Sequence, residues 1–271
     1  MDLSVVTVTW NAEKNIAGQL RSVILACGKI SFEQIVVDNA SDDNTVAVAQ
    51  SVIPTTKEES LAIGLSGGIK LLKNKTNLGF GAACNEGVAV SQGRFILFLN
   101  PDMELKEPGC LDKLVAYMDS RPEVGIVSCK LVDESGQLNK KDGPRRFPGF
   151  WNQLAIFLKI PHFFPSVLHR YQYFDLDLNK EQEVDSVRGS FMLARREFIE
   201  KLNRAFDERF FIWFEDVDLC REAKQLGYKV IYNPVISCVD LVGQSFKKRS
   251  VFWKQWQFFR SMFKYFVKWG L

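Results

Sequence analysis

The chain is poor in the residues that metal cages and disulfide scaffolds require. Its 271 residues include two histidines, His162 and His169. They stand seven positions apart in an aromatic segment, with no companions at metal-ligand spacing, and read as ordinary surface or core histidines. The six cysteines (Cys27, Cys84, Cys110, Cys129, Cys220, Cys238) form no C-x-x-C pair and no zinc-like pattern. Such a scattered set fits free thiols in a reducing compartment better than a disulfide framework. No apolar run approaches the roughly 18 residues needed to span a bilayer. The N-terminus enters Leu3–Thr9 without a basic n-region or a cleavage site, so no secretory leader is expected. A third glycine is missing after Gly79-Phe80-Gly81, and that pair follows the third expected strand, which speaks against a dinucleotide fingerprint.

Acidic residues are missing from one end. Residues 246–271 hold Lys247, Lys248, Arg249, Lys254, Arg260, Lys264 and Lys268 and no acid, so the net charge of +3 hides a remainder with 28 basic and 32 acidic residues. The positive charge belongs to the tail, and a nucleic-acid-binding core is not indicated. Within the tail, Phe252, Trp256, Phe259, Phe263 and Phe266 are spaced as one helical stripe. A helix aromatic on one face and basic on the other is the pattern of an interfacial membrane helix. A helix docked on its own domain would explain the stripe but not the charge. Calmodulin-type and nucleic-acid binding are lesser alternatives.

What is present suffices for a core: 46% of the residues are hydrophobic, enough for one large or two small domains. Val5–Thr9, 34–37, 69–72 and 94–99 read as buried strands, and 14–27, 41–52 and 82–91 as helices between them. Ser41 or Asp42 is placed to cap the second helix. Alternation of this kind over the first 120 residues predicts an α/β fold, a mostly parallel sheet flanked by helices. The second part is less regular. It contains a strand at 125–132, a turn at Asp133–Gly136, a Pro- and aromatic-rich segment at 145–174 and a strand at 191–194. Last comes a helix that starts at Glu215-Asp216-Val217-Asp218. The expected organisation is one domain over 1–245, with a nucleotide half (1–120) and an irregular acceptor half (121–245), followed by an amphipathic helix in 246–271.

Three constellations can carry chemistry. The strand ending at Leu99 runs into Asn100-Pro101-Asp102, and parallel sheets meet their ligands at the carboxyl ends of strands. On turn statistics alone this is a strand followed by an Asx-type turn. Asp38 closes the second strand on the same sheet edge and can accept a bond from a ribose or a base, or else belongs to a capping cluster. The glycines at 79 and 81 either receive an anion at a helix start or simply make a tight turn. Glu215, Asp216 and Asp218 follow five apolar or aromatic residues; they suit the helix dipole, and one of them on an apolar rim could serve as a general base.

Taken in order, Val6-Thr7-Val8-Thr9-Trp10-Asn11, Val36–Ser41, Asn77–Gly81, Phe98–Asp102, Gly189–Leu193 and Phe214–Cys220 resemble the inverting family 2 glycosyltransferases of GT-A fold. The likeness is greatest to bacterial rhamnosyltransferases of cell-surface polysaccharide synthesis. It spans nearly the whole chain. The resemblance implies a donor pocket lined by Thr9, Asn11, Glu13, Asp38, Asn77, Gly79, Asn100, Gly189 and Ser190, with Asp38 on the base. It implies a catalytic base at Asp216, with Glu215 beside it, and a divalent cation (Mg2+ or Mn2+) on Asp102. Two positions depart from the family pattern. Asn100 replaces the first acid of the Asp-x-Asp signature. The metal-binding histidine that many relatives carry near 237–241 is missing, with Asp240 the nearest substitute. The implied partners are a dTDP- or UDP-linked sugar and a glycan or lipid-linked acceptor, without nucleic acid. The implied location is the cytoplasmic face of the cell membrane. A non-catalytic, nucleotide-binding or membrane-peripheral scaffold is the alternative those departures motivate; a nucleotidyltransferase would need a basic glycine loop after the first strand, where Trp10–Glu13 stands.

Overall fold

Seven successive residues of strand β1 (Leu3–Thr9) are buried, as expected of a strand with helices on both faces. The computed structural model describes residues 1–54, 65–138, 143–173, 175–241 and 250–270. β1 pairs in parallel with β2 (Phe32–Asp38) and β4 (Phe95–Leu99), and β2 pairs in parallel with β3 (Ile69–Lys73). Helices α1 (Ile16–Ala26), α2 (Thr45–Val52) and α3 (Phe80–Ala89) connect them. The strand order reverses at β1, so a crevice opens between the carboxyl ends of β1 and β4.

The sheet continues through the second half in the order β3-β2-β1-β4-β8-β6-β9-β5, with β7 (Gln182–Glu183) also on β9. Strand β8 (Phe191–Arg195) runs antiparallel to both β4 and β6 (Val124–Val132). That direction brings Gly189-Ser190 to the carboxyl end of β4, where the Asn100 N–H donates to the Ser190 carbonyl at 3.0 Å. β9 (Lys229–Asp240) pairs in parallel with β6 and antiparallel with the two-residue β5 (Met103–Glu104), Met103 opposite Asp240. Side chains alternate between two cores. Leu3, Val5, Leu97 and Leu99 meet α1 and α4 (Cys110–Asp119), while Val6, Ile96 and Phe98 meet α3, α7 (Arg196–Leu202) and α8 (Glu215–Gln225). All six cysteines are buried free thiols.

Several local expectations need correction. Neither Ser41 nor Asp42 caps α2, which begins at Thr45. The Ser41 hydroxyl is already spent on Asp38 at 2.6 Å, and Asp43 accepts the Thr45 N–H at 3.0 Å instead. The segment 145–174 contains two helices, α5 (Phe150–Phe157) and α6 (Ser166–Tyr171).

The tail forms α9 (Val251–Trp269), capped by Ser250, and it has two apolar faces rather than one. Phe258, Met262, Tyr265 and Phe266 dock against Phe210, Phe214 and Val217, whereas Phe252, Trp256, Phe259 and Phe263 are exposed. Nor are the basic residues all outward. The Lys268 ammonium lies inside, bonded to Asp218 at 2.6 Å, Glu222 at 2.7 Å and Asp207 at 3.2 Å. Lys247, Lys248 and Arg249 lie outside the described residues, as does the 245/246 boundary. No helix among the described residues is long and apolar enough to cross a membrane.

Candidate active site

A cavity of about 570 Å³ lies at the strand ends. That is the size range of small-molecule sites. Its floor comes from the ends of β1 and β4 through Trp10 and Asn100-Pro101-Asp102. Asn100–Met103 is a β-turn closed by the Met103 N–H on the Asn100 carbonyl at 3.1 Å. The turn statistics and the site reading therefore describe the same four residues. Proline, lacking an N–H, ends sheet pairing there. Asp102 and Asp240 both line the cavity, brought together because Met103 and Asp240 are register partners and the Leu241 N–H donates to the Asp102 carbonyl at 2.9 Å.

At the start of α8, Glu215 and Asp216 line the same cavity. The two residues before them, Trp213 and Phe214, have φ of 63° and 70°. Bulky side chains rarely adopt that conformation, at about 1–3 kcal/mol each. Phe214 is held there by Phe258 and Tyr265 of α9. Asp216 is oriented by two backbone donors, Gly189 N–H on Oδ2 at 3.2 Å and Val217 N–H on Oδ1 at 2.8 Å. A Cβ on Gly189 would lie 3.3 Å from the Phe80 ring and 3.4 Å from the Asp216 Cβ, in contact with both. Glu215 is buried. Desolvation, together with the charges of Asp216 and Asp218, pushes its carboxyl well above the ordinary range.

Asp218, the third acid of the triplet, does not line the cavity. It anchors α9 through Lys268 and through the Trp269 indole N–H, which donates at 2.7 Å.

The other expected donor residues divide. Asn77, Gly79, Asn100, Gly189 and Ser190 line the cavity. Gly79 has a φ of 91°, and a Cβ there would meet the Phe211 carbonyl oxygen at 2.5 Å. The first amide of α3, that of Phe80, donates to this same carbonyl at 2.9 Å and is therefore not free for an anion. Thr9, Asn11, Glu13 and Asp38 are not among the lining residues. They join two neighbouring loops: Asp38 accepts from Thr9 and Ser41, Asn11 accepts the Asp42 N–H, and Glu13 accepts the Asn44 N–H.

Sequence reasoning missed five polar liners: Asn39, Arg145, Gln153, Gln172 and Arg188. Asn39 is buried and ties the end of β2 to the glycine loop, donating to Asn77 Oδ1 at 3.1 Å and the Gly79 carbonyl at 3.0 Å. Gln153 is buried on α5, and its Nε2 has no protein partner. Arg188 stands directly before Gly189-Ser190, which could have flagged it. Nothing in the spacing around Gln153 could have done so. Ser190 Oγ and Glu215 Oε2 are likewise buried with no hydrogen-bond partner among the described residues, which is uncommon for buried polar atoms.

A sequence profile of glycosyl transferase family 2 matches residues 4–202. The chain belongs to this family. It is 26% identical over 211 residues to the rhamnosyltransferase WbbL of Escherichia coli, covering 75% of this chain and 73% of that one. It is also 26% identical over 244 residues to the N-acetylglucosaminyl-diphospho-decaprenol L-rhamnosyltransferase of Mycobacterium tuberculosis, covering 86% and 73%. Among solved structures it resembles a mannosyltransferase of Pyrobaculum calidifontis in complex with GDP-Man and Mn2+, with a TM-score of 0.60 at 20% identity over 89% of this chain and 57% of the other. It also resembles GalNAc-T7 with UDP, GalNAc and Mn2+, with a TM-score of 0.64 at 16% identity over 92% and 45%. The chain thus spans about half the length of these two solved chains. The fold is the α/β fold of GT-A glycosyltransferases, as the motif order implied.

Proposed function

We propose that this chain is an inverting glycosyltransferase that moves a sugar from a nucleotide donor to an acceptor hydroxyl on a glycan or lipid-linked glycan. The observation that carries the reading is that one cavity is lined by the Asp102–Asp240 pair of the β5–β9 ladder and by Glu215-Asp216 at the start of α8. The acceptor oxygen forms its bond to the anomeric carbon as the bond to the diphosphate breaks. Asp216 takes the hydroxyl proton. A single displacement inverts the centre and needs no covalent nucleophile. Glu215 lies buried beside it, where burial disfavours its charged form. Arg145 and Arg188 supply positive charge to the departing diphosphate.

The donor set suits a divalent cation. Two carboxylates on paired strands offer hard oxygen ligands, the arrangement in which Mg2+ or Mn2+ is completed by substrate phosphates. Asp102 would hold the ion with Asp240, which stands in for the missing histidine; Asn100 contributes no charge. When bound, the cation neutralises charge on the leaving group. Thr9, Asn11, Glu13 and Asp38 set the loop wall on the nucleoside side. The relatives' names favour rhamnose as the transferred sugar, with dTDP-rhamnose as the donor to test first, and a role in cell-surface polysaccharide synthesis at the inner face of the membrane is the reading that the same likeness and the basic tail support.

A thermal-shift panel of sugar nucleotides with and without Mn2+, followed by nucleoside diphosphate release with acceptor present, tests the reading. The expected result is stabilisation by dTDP-rhamnose that deepens with Mn2+. Failure of every donor to turn over would refute it, and donor binding without metal dependence or turnover would favour a scaffold. Asp216→Asn is expected to reduce turnover by about 10²-fold or more, in line with loss of a general base, while donor binding persists.

A further inference from the structure

Two stretches of the chain contain no acid: residues 144–174 and 241–271, each 31 residues long. All 32 acids lie in the other 209 residues, while the two stretches hold eleven basic ones. The fold brings α5 and α9, one described helix from each stretch, together. Helix α5 packs on α9 through Phe150 against Phe266 (ring centroids 5.3 Å apart) and Phe157 against Phe259 (5.4 Å). On the sides turned away from the domain, both expose aromatic rings. Phe163 is 82% exposed, Phe252 81% and Trp151 77%, with Phe164, Trp256 and Phe263 also open to solvent. The exposed rings of α9 lie on one helical face, and Arg260 beside them is exposed, as is Lys159 on the turn after α5.

We propose that these two limbs form one membrane-seating surface that binds an anionic lipid bilayer. In a symmetric pairing of two copies the same basic rim would face itself, like charge against like. Here the two exposed charges beside the rings, Lys159 and Arg260, are both basic, and the centre is rich in Phe and Trp, the composition that sits at a headgroup boundary beside anionic lipid. The tail stripe alone is a narrow strip. The α5–α6 limb widens it with Trp151, Phe163 and Phe164, from a part of the chain about 90 residues earlier. Gln153, Ile156 and Tyr171 of one limb and Trp253 and Phe258 of the other line the cavity, so the seated face and the site share their walls. The seating stands on exposure and charge alone; only its use, presenting the cavity to an acceptor held in the membrane, rests on the transferase reading.

Flotation of the full chain with vesicles of phosphatidylcholine containing phosphatidylglycerol tests this. Wild type is expected to float with them, less with phosphatidylcholine alone, and less at high salt. Phe163→Ser/Phe164→Ser and Phe252→Ser/Phe263→Ser should each lower partitioning by on the order of tenfold, because each removes two interfacial rings. Equal flotation of the Phe163→Ser/Phe164→Ser variant would overturn the two-limb surface. Absence of wild-type flotation, with a dimer in sedimentation that these variants dissociate, would assign the face to a second copy and overturn the proposal outright. Melting temperatures and donor turnover with a water-soluble acceptor are expected to be unchanged in both variants. Wild-type flotation without turnover of any donor would instead count against the transferase reading and leave the seating surface standing.

Discussion

Glu215 and Asp216 are adjacent acids with opposite surroundings. Glu215 is buried with an unpartnered oxygen, and Asp216 is partly open and bonded to two amides. Because burial raises the Glu215 pKa above 4.5, its contribution to stability is fully present below that pH and is lost as pH rises through the folded value. Glu215→Gln mimics the neutral form. Its melting temperature is expected to match wild type near pH 4 and to exceed it at alkaline pH, and its turnover at neutral pH should stay within about tenfold of wild type, set against the general-base loss at Asp216→Asn. Large loss in Glu215→Gln would identify Glu215 as the base. At this scale the sequence was legible where a motif ended a strand, as at Asp102, or opened a helix, as at Asp216. It was silent on Gln153, whose role comes from the packing of α5 over the cavity, and it placed Asp38 at the right edge without showing that Thr9 and Ser41 already occupy its oxygens.

The loop that precedes α8 is held from both sides. Gly79 meets it at Phe211, and α9 meets it through the Ser261 hydroxyl, which donates to the Ile212 carbonyl at 2.7 Å. Gly79→Ala puts a methyl where that carbonyl stands and forces a positive φ on alanine, so a loss of about 1–3 kcal/mol is expected by denaturant titration. Turnover should fall more than donor affinity, because the displaced segment carries Asp216. The parallel strands were readable as apolar runs bounded by polar turns. β9 was not, because Asn233-Pro234 interrupts its pattern. The register jumps there, from Ser128 opposite Tyr232 to Lys130 opposite Ser237, and proline in a strand is at home in such an irregularity. The tail stripe was legible as a helix, but its second apolar face was hidden. The docking residues Met262 and Tyr265 become a face only once Phe210, Phe214 and Val217 are beside them.

Across the molecule, Lys268 fastens the chain's end to three carboxylates near the site. Burial works against its charge, but bonds to Asp218 and Glu222 hold its ammonium above its usual range. Burial raises Asp218 from 3.8 to about 6, so its neutral form supports folding fully below pH 3.8, and that support fades by about pH 6. Above this, the lysine is what keeps the ionised cluster in place. Lys268→Met is expected to cost about 3–5 kcal/mol near neutral pH, the usual result of removing one partner of a buried pair. The loss should shrink towards pH 5 as the orphaned acids take up protons. A pH-independent loss in urea titrations would show that packing of the lysine stem, not its charge, holds the helix.

The antiparallel strand β8 sits between β4 and β6, so the sheet's middle is completed by residues 191–195. During synthesis, β1 to β4 emerge with one long edge of β4 open, and its partner follows about 90 residues later. At about 5–20 residues per second, that edge waits several seconds outside the ribosome. A nascent chain halted before residue 190 should therefore be protease-sensitive and prone to pair with other strands, whereas one extended past β9 should resist. A fragment of the first 120 residues is thus a poor candidate for a soluble nucleotide-binding unit, although every one of its four parallel strands is already made.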